Sequence, residues 1–158
     1  MTDPISLQLP FLEGFSGQST DELLALEGRF RIDSIVLAFE HALDRKAAVI
    51  GISNLTVEER TVLVIEALER EVNNGGFDQF FLNTREVATL VVAALQRIGC
   101  PGTQAIASEA IAGDAIADEV AREQALEQCD QRYYASLESI EEALFSYIKR
   151  HRSSIALQ

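Results

Sequence analysis

A glycine pair interrupts the longest helical pattern in this chain. Thr61, Val64, Ile65, Leu68 and Val72 recur at helical spacing and run into Asn73-Asn74-Gly75-Gly76, after which Phe77, Phe80 and Phe81 resume the spacing. Gly75 is expected to end the first helix by entering the left-handed region without a Cβ penalty. A second, shorter helix then turns its three phenylalanines inward, while Asp78, Gln79 and Asn83 face elsewhere. Asn83 is placed to cap a third helix, with Glu86 three residues on to complete a capping box. A chain with this core is built from helices.

The flanking sequence extends the same reading to an all-α fold of about seven to eight helices in one domain, residues 20–152. Residues 1–19 hold Pro4, Pro10, Gly14 and Gly17 around an alternation of Ile5, Leu7 and Leu9, which suggests an extended arm. Phe11, Leu12 and Phe15 are costly to leave in water, so the arm lies on the body or reaches a second subunit. Ser19-Thr20-Asp21-Glu22 and Thr56-Val57-Glu58-Glu59 are capping-box signatures. Asp33 or Ser34 is expected to cap a helix ending near Lys46. The helix after Thr56 reads as an amphipathic surface helix with Glu58, Glu66, Glu69 and Arg70 outward. From Thr84 to Ile98 the pattern is apolar nearly all round, which marks a central core helix too short to cross a bilayer. Gly99 ends it and Pro101 opens the next, which stops near Ala112; Gly113 separates that from a helix over Asp114 to Gln128. A turn or short helix over 130–136 and a last helix over 137–151 follow, and residues 153–158 are expected to fray.

Charge narrows the function. The chain carries 25 acidic against 13 basic residues, a net charge of −12, which opposes direct contact with nucleic-acid phosphates or anionic membranes. A basic partner is the natural complement, although acidity also serves solubility alone. Cys100 and Cys129 form no Cys-x-x-Cys pair and lack a neighbouring histidine or cation, so a reducing cytoplasm and two unreactive thiols are expected.

Between residues 101 and 145 ten acids stand against Arg122 and Arg132. Glu119, Glu123 and Glu127 are successive i+4 neighbours, and Asp114 with Asp118 makes a second such pair, so two carboxylate rows are expected on one helix. Each like-charge pair costs a helix about 0.2–0.5 kcal/mol. Stability alone favours alternating signs, whereas carboxylates about 6 Å apart along the axis resemble neighbouring phosphates. Solvation of a helix face, and the preference of Asp114 and Asp118 for a helix N-terminus, explain the same residues without a partner. Glu66, Glu69 and Glu71 with Asp78 are candidates for extending the acidic surface across the glycine break in a dimer, or for solvating the outer helix. The amides of Asn73, Asn74, Gln79 and Asn83 either hold a small ligand or satisfy their own turn. His41 with Asp44 lacks the further ligands of a metal site, and no phosphate loop, nucleotide fingerprint or nucleophile elbow is present. No metal, cofactor or catalytic residue is assigned.

The Glu71–Asn83 run (EVNNGGFDQFFLN), the upstream LTVEERTVLVIEALE and the downstream apolar helix ending in Arg97-Ile98-Gly99 resemble the bacterial DNA-mimic protein family over roughly residues 50–150. That resemblance implies an all-helical acidic homodimer, without enzymatic activity, that occupies the DNA-binding surface of a transcription factor or other DNA-binding protein. The competing expectation is a generic helical adaptor or immunity-type protein, acidic only for solubility, that binds through an apolar groove near Phe77, Phe80 and Phe81.

Overall fold

The computed structural model describes residues 8–158. The Pro4, Ile5 and Leu7 part of the expected arm lies outside them. Among the described residues there are eight α-helices and no strand, only an isolated bridge between Glu27 and Phe30. In chain order these are α1 (Thr20–Leu24), α2 (Ile32–Ile50), α3 (Val57–Asn83), α4 (Arg85–Ala88), α5 (Val91–Ile98), α6 (Pro101–Asp114), α7 (Glu119–Tyr134) and α8 (Ile140–Arg150). The all-helical expectation is met. Two units are distinguished: residues through Glu66 with Ser139–Gln158, and Ala67–Glu138.

In the first unit α1 and α8 both pack on α2. Ser19 forms the expected capping box, accepting from Glu22 N at 3.1 Å while the Glu22 carboxylate accepts from Ser19 N at 3.3 Å. Thr56 and Glu59 form the second, with reciprocal bonds of 3.0 and 3.2 Å. The cap of α2 differs from expectation. Arg31 is the capping residue, Asp33 and Ser34 lie inside the first turn, and the helix runs on to Ile50. Ser34 is held inward instead, its hydroxyl donating to Arg31 O and accepting from Leu12 N. The described arm therefore lies along α2, where Arg31 also covers the Phe11 ring and Arg45 the Phe15 ring.

The C-terminal residues do not fray. Ile155 and Leu157 are buried, and the backbone oxygens of Ser154, Ile155 and Ala156 accept from Thr56, Thr20 and Lys46. Lys46 simultaneously pairs with Glu59 at 2.6 Å. Apolar anchors together with satisfied carbonyls remove the usual reason for a terminus to loosen.

Two expectations about burial are corrected. Every residue from Thr61 to Leu68 is buried, so this part of α3 has no solvent face, and Glu66 is only 8% exposed. Val62, Leu63 and Ala67 supply the second apolar side, which the stripe on the first side obscured. Conversely, residues 84–98 are not one central helix. The segment divides at Thr89–Leu90 into α4 and α5, and α5 buries only Val91, Ala94, Leu95 and Ile98.

The second unit forms around the glycine break. The break is where expected, but Gly76 rather than Gly75 carries the positive φ, with φ 78° and ψ −177°. Phe77, Phe80 and Phe81 are buried, and Phe77 meets the Tyr133 ring edge to face at 5.8 Å. Helix α5 packs on α6, which packs on α7. Gly99 closes α5 and Pro101 opens α6 as expected. Gly113, however, lies inside α6, where a Cβ would stand 3.2 Å from Ala125 Cβ; it permits close approach of α7 instead of stopping a helix. Of the turn or short helix expected over 130–136, the part to Tyr134 continues the preceding helix, because Cys129 and Tyr133 extend the buried stripe begun by Leu126.

Candidate acidic recognition surface

Helix α7 begins at an Asp118 cap whose carboxylate accepts from Ala121 N at 2.9 Å. Burial of Leu126, Cys129 and Tyr133 fixes which side of the helix faces inward. Glu119, Glu123 and Glu127 consequently stand exposed along one row, as the spacing requires. Among the described residues, Glu123 and Glu127 make no ion pair.

The second row does not form. Asp114 is the last residue of α6, and the chain turns through Ala115–Asp118 before α7 starts, so Asp114 and Asp118 never share a helix. Asp114 is instead drawn onto Arg122, at 2.8 Å, and lies 3.6 Å from Arg85. The same guanidinium meets Asp78 at 2.6 Å and Glu119 at 3.4 Å. Hydrogen bonds from Arg122 to Asp78 and Asp114 hold it protonated still more firmly than an ordinary arginine. One cation thus gathers carboxylates from α3, α6 and α7; it partly neutralises them, while Asp78 and Glu119 remain exposed.

The upstream acids separate. Asp78 joins α7 through Arg122, but Glu66 is buried and Glu69 is turned inward, accepting from the Tyr133 hydroxyl and, at 3.2 Å, from Asn73 Nδ2. Burial pushes the Glu69 carboxyl above the usual carboxylate range despite those hydrogen bonds.

Glu71, expected on the acidic surface, and Asp130, given no separate role from sequence, organise the break. Glu71 accepts from Gln79 Nε2 at 2.7 Å and Asn83 Nδ2 at 3.0 Å, tying the two parts of α3 together. Hydrogen bonding from Gln79, then from Asn83, lowers its pKa. Asn83 is therefore engaged behind itself, and the next helix is capped by Thr84 with no side-chain bond. Asp130 Oδ1 accepts from Phe77 N at 2.7 Å. Its pKa is raised, chiefly by burial. No local pattern announces either contact, since the partners are separated by the break or by most of the unit. The amides of Asn73, Gln79 and Asn83 thus serve carboxylates of the chain itself.

Other chemistry is sparse. Cys100 and Cys129 are free and buried, and burial pushes the Cys100 thiol up to about 11, away from the nucleophilic thiolate. His41 is exposed, and among the described residues no group of three or more His, Cys, Asp or Glu is arranged to hold a metal ion. No helix in the described residues is long and apolar enough to cross a membrane.

No curated protein and no solved structure matches the chain significantly. A family model described as DMP19-like protein matches residues 53–151, more than half of the 158 residues, and covers the broken helix, the Arg122 centre and the whole exposed glutamate row. By that match the chain belongs to the DMP19-like protein family.

Proposed function

We propose that this protein is an acidic DNA mimic that binds the DNA-binding surface of a transcription factor or other DNA-binding protein and so blocks its access to DNA. The observation that carries the reading is the exposed Glu119, Glu123 and Glu127 row, in which Glu123 and Glu127 make no ion pair among the described residues, within a family match spanning the same helix. Asp118 and Asp78 flank that row, and Asp114 holds Arg122 in place. Glu66 and Glu69 support the fold instead of the surface. Binding, without catalysis, is the activity. Carboxylates replace phosphates, speed encounter with basic side chains and make affinity fall with salt. A cytoplasmic homodimer doubles this surface and matches the two-fold symmetry of dimeric regulators.

The test is a pull-down from native cytosol at low and high salt, followed by displacement of DNA from the recovered protein. Replacing Glu119, Glu123 and Glu127 by Gln is expected to leave helicity intact and to abolish both capture and displacement. Capture that survives the triple substitution and is indifferent to salt defeats the reading.

A further inference from the structure

We infer that the uncharged run over residues 47–57, where α2 turns into α3, is the face through which two copies of this chain pair. The inference rests on the homodimer part of the proposed function and is independent of which DNA-binding protein the glutamate row meets.

Residues 47–57 hold no charged side chain in a chain that is 24% charged, and all but Ala47 and Leu55 are exposed. Val49 is 85% exposed, and Ile50, Ile52 and Val57 are 39–40% exposed. The last turn of α2 carries no base, although the helix dipole favours one there, and β-branched residues bring no helix propensity in compensation. Nor can the corner fold its methyl groups away. Gly51 N donates to Ala47 O at 2.8 Å, Asn54 Nδ2 to Ile50 O at 2.6 Å and the Arg60 guanidinium to Ser53 O at 3.3 Å, while Leu55 is buried. A fixed apolar surface of this kind costs free energy in water until something covers it.

Charge selects a second copy as the cover. Two chains of net charge −12 repel each other, and a two-fold pair must bring the same patch of each together. The flanks of the run, residues 44–46 and 58–60, hold three acids and three bases, so this stretch is neutral while the rest of the chain carries the entire −12. Val49, Ile50 and Ile52 have no acid within four positions, whereas every other large apolar residue exposed among the described residues has one, Leu82, Val120 and Leu137 included. A basic partner gains nothing from such a face. A copy of the chain meets it with apolar groups at the centre and opposite charges at the rim.

Light scattering of the full chain across protein concentration is expected to show a dimer whose dissociation constant falls as salt rises, because screening relieves the repulsion between two acidic bodies. Capture of a basic partner moves the opposite way with salt. Joint Val49→Asp and Ile52→Asp substitution, at positions the single chain leaves in water, is expected to keep the helicity and to raise the dissociation constant by about a hundredfold or more, since each places an unpaired charge in the apolar centre. Val49→Ser with Ile52→Ser is expected to act in the same direction, and Leu137→Asp, at another exposed apolar position, to leave the dimer unchanged. A dimer that survives the joint aspartate substitution, or that Leu137→Asp dissolves, overturns this inference and leaves the homodimer standing. A chain that stays monomeric at every concentration and salt removes both. A dimer that behaves as expected in a chain that captures no basic partner supports this face and defeats the mimic reading alone.

Discussion

Asp130 Oδ1 accepts the backbone N–H of Phe77 at 2.7 Å from 53 residues further along the chain, and its other oxygen stands 2.3 Å from where a Cβ on Gly76 would be. A carboxylate from α7 therefore caps the aromatic part of α3. The glycine at position 76 serves this contact twice: it reaches φ 78° with ψ −177°, and it leaves room for the cap.

Gly76→Ala is expected to destabilise the protein by about 3 kcal/mol, from backbone strain together with a Cβ placed 2.3 Å from Asp130 Oδ2. Asp130→Ala alone should cost about 1 kcal/mol, the usual value of a lost helix cap. Urea denaturation of the double variant is expected to give less than the sum of the two, because the steric part disappears with the carboxylate. Strict additivity would show that Asp130 is not what fills the space.

Glu69 should give a pH signature. Its folded pKa lies above the unfolded value because burial disfavours the anion. The folded state thus binds the proton more tightly, so the ionised group costs stability at neutral pH, and that cost fades as pH falls through the folded pKa and is gone below the unfolded one. Glu69→Gln is expected to raise the urea midpoint at pH 7 and to lose this advantage progressively in acid. An advantage that grows on acidification contradicts the assignment.

The Lys46–Glu59 pair is expected to matter far more than a surface ion pair, since the Glu59 side chain is 2% exposed. Lys46→Met leaves a buried carboxylate without its cation and frees the carbonyl of Ala156. A loss of about 3 kcal/mol is expected, accompanied by faster amide exchange at Ile155 and Leu157. Slow exchange at those two amides in the variant would mean that apolar contacts alone hold the terminus.

Asp114 and Glu123 should separate stability from recognition. Asp114→Asn weakens the Arg122 centre and is expected to lower the melting temperature, whereas Glu123→Gln, at an exposed site with no ion pair among the described residues, should change stability by less than about 0.5 kcal/mol. Only the glutamate change is expected to flatten the salt dependence of capture. If the two variants behave alike in both assays, the distinction between the centre and the row is wrong.

Periodicity, capping chemistry and glycine placement determined most of the helical framework from sequence alone, because each is written within a few residues. Both capping boxes, the aromatic face at Phe77, Phe80 and Phe81, the break beside Gly76 and the Glu119–Glu123–Glu127 row were legible for that reason. Tertiary structure decided what depends on distant partners. It made Thr61–Leu68 the fully buried stretch, sent Glu66 and Glu69 inward, assigned Glu71 and Asp130 to the break, and ended α6 at Asp114 so that Arg122 claimed that carboxylate. A helix face can be read from spacing, but whether an acid on it meets water, a tyrosine hydroxyl or a guanidinium is settled by contacts that no local pattern encodes.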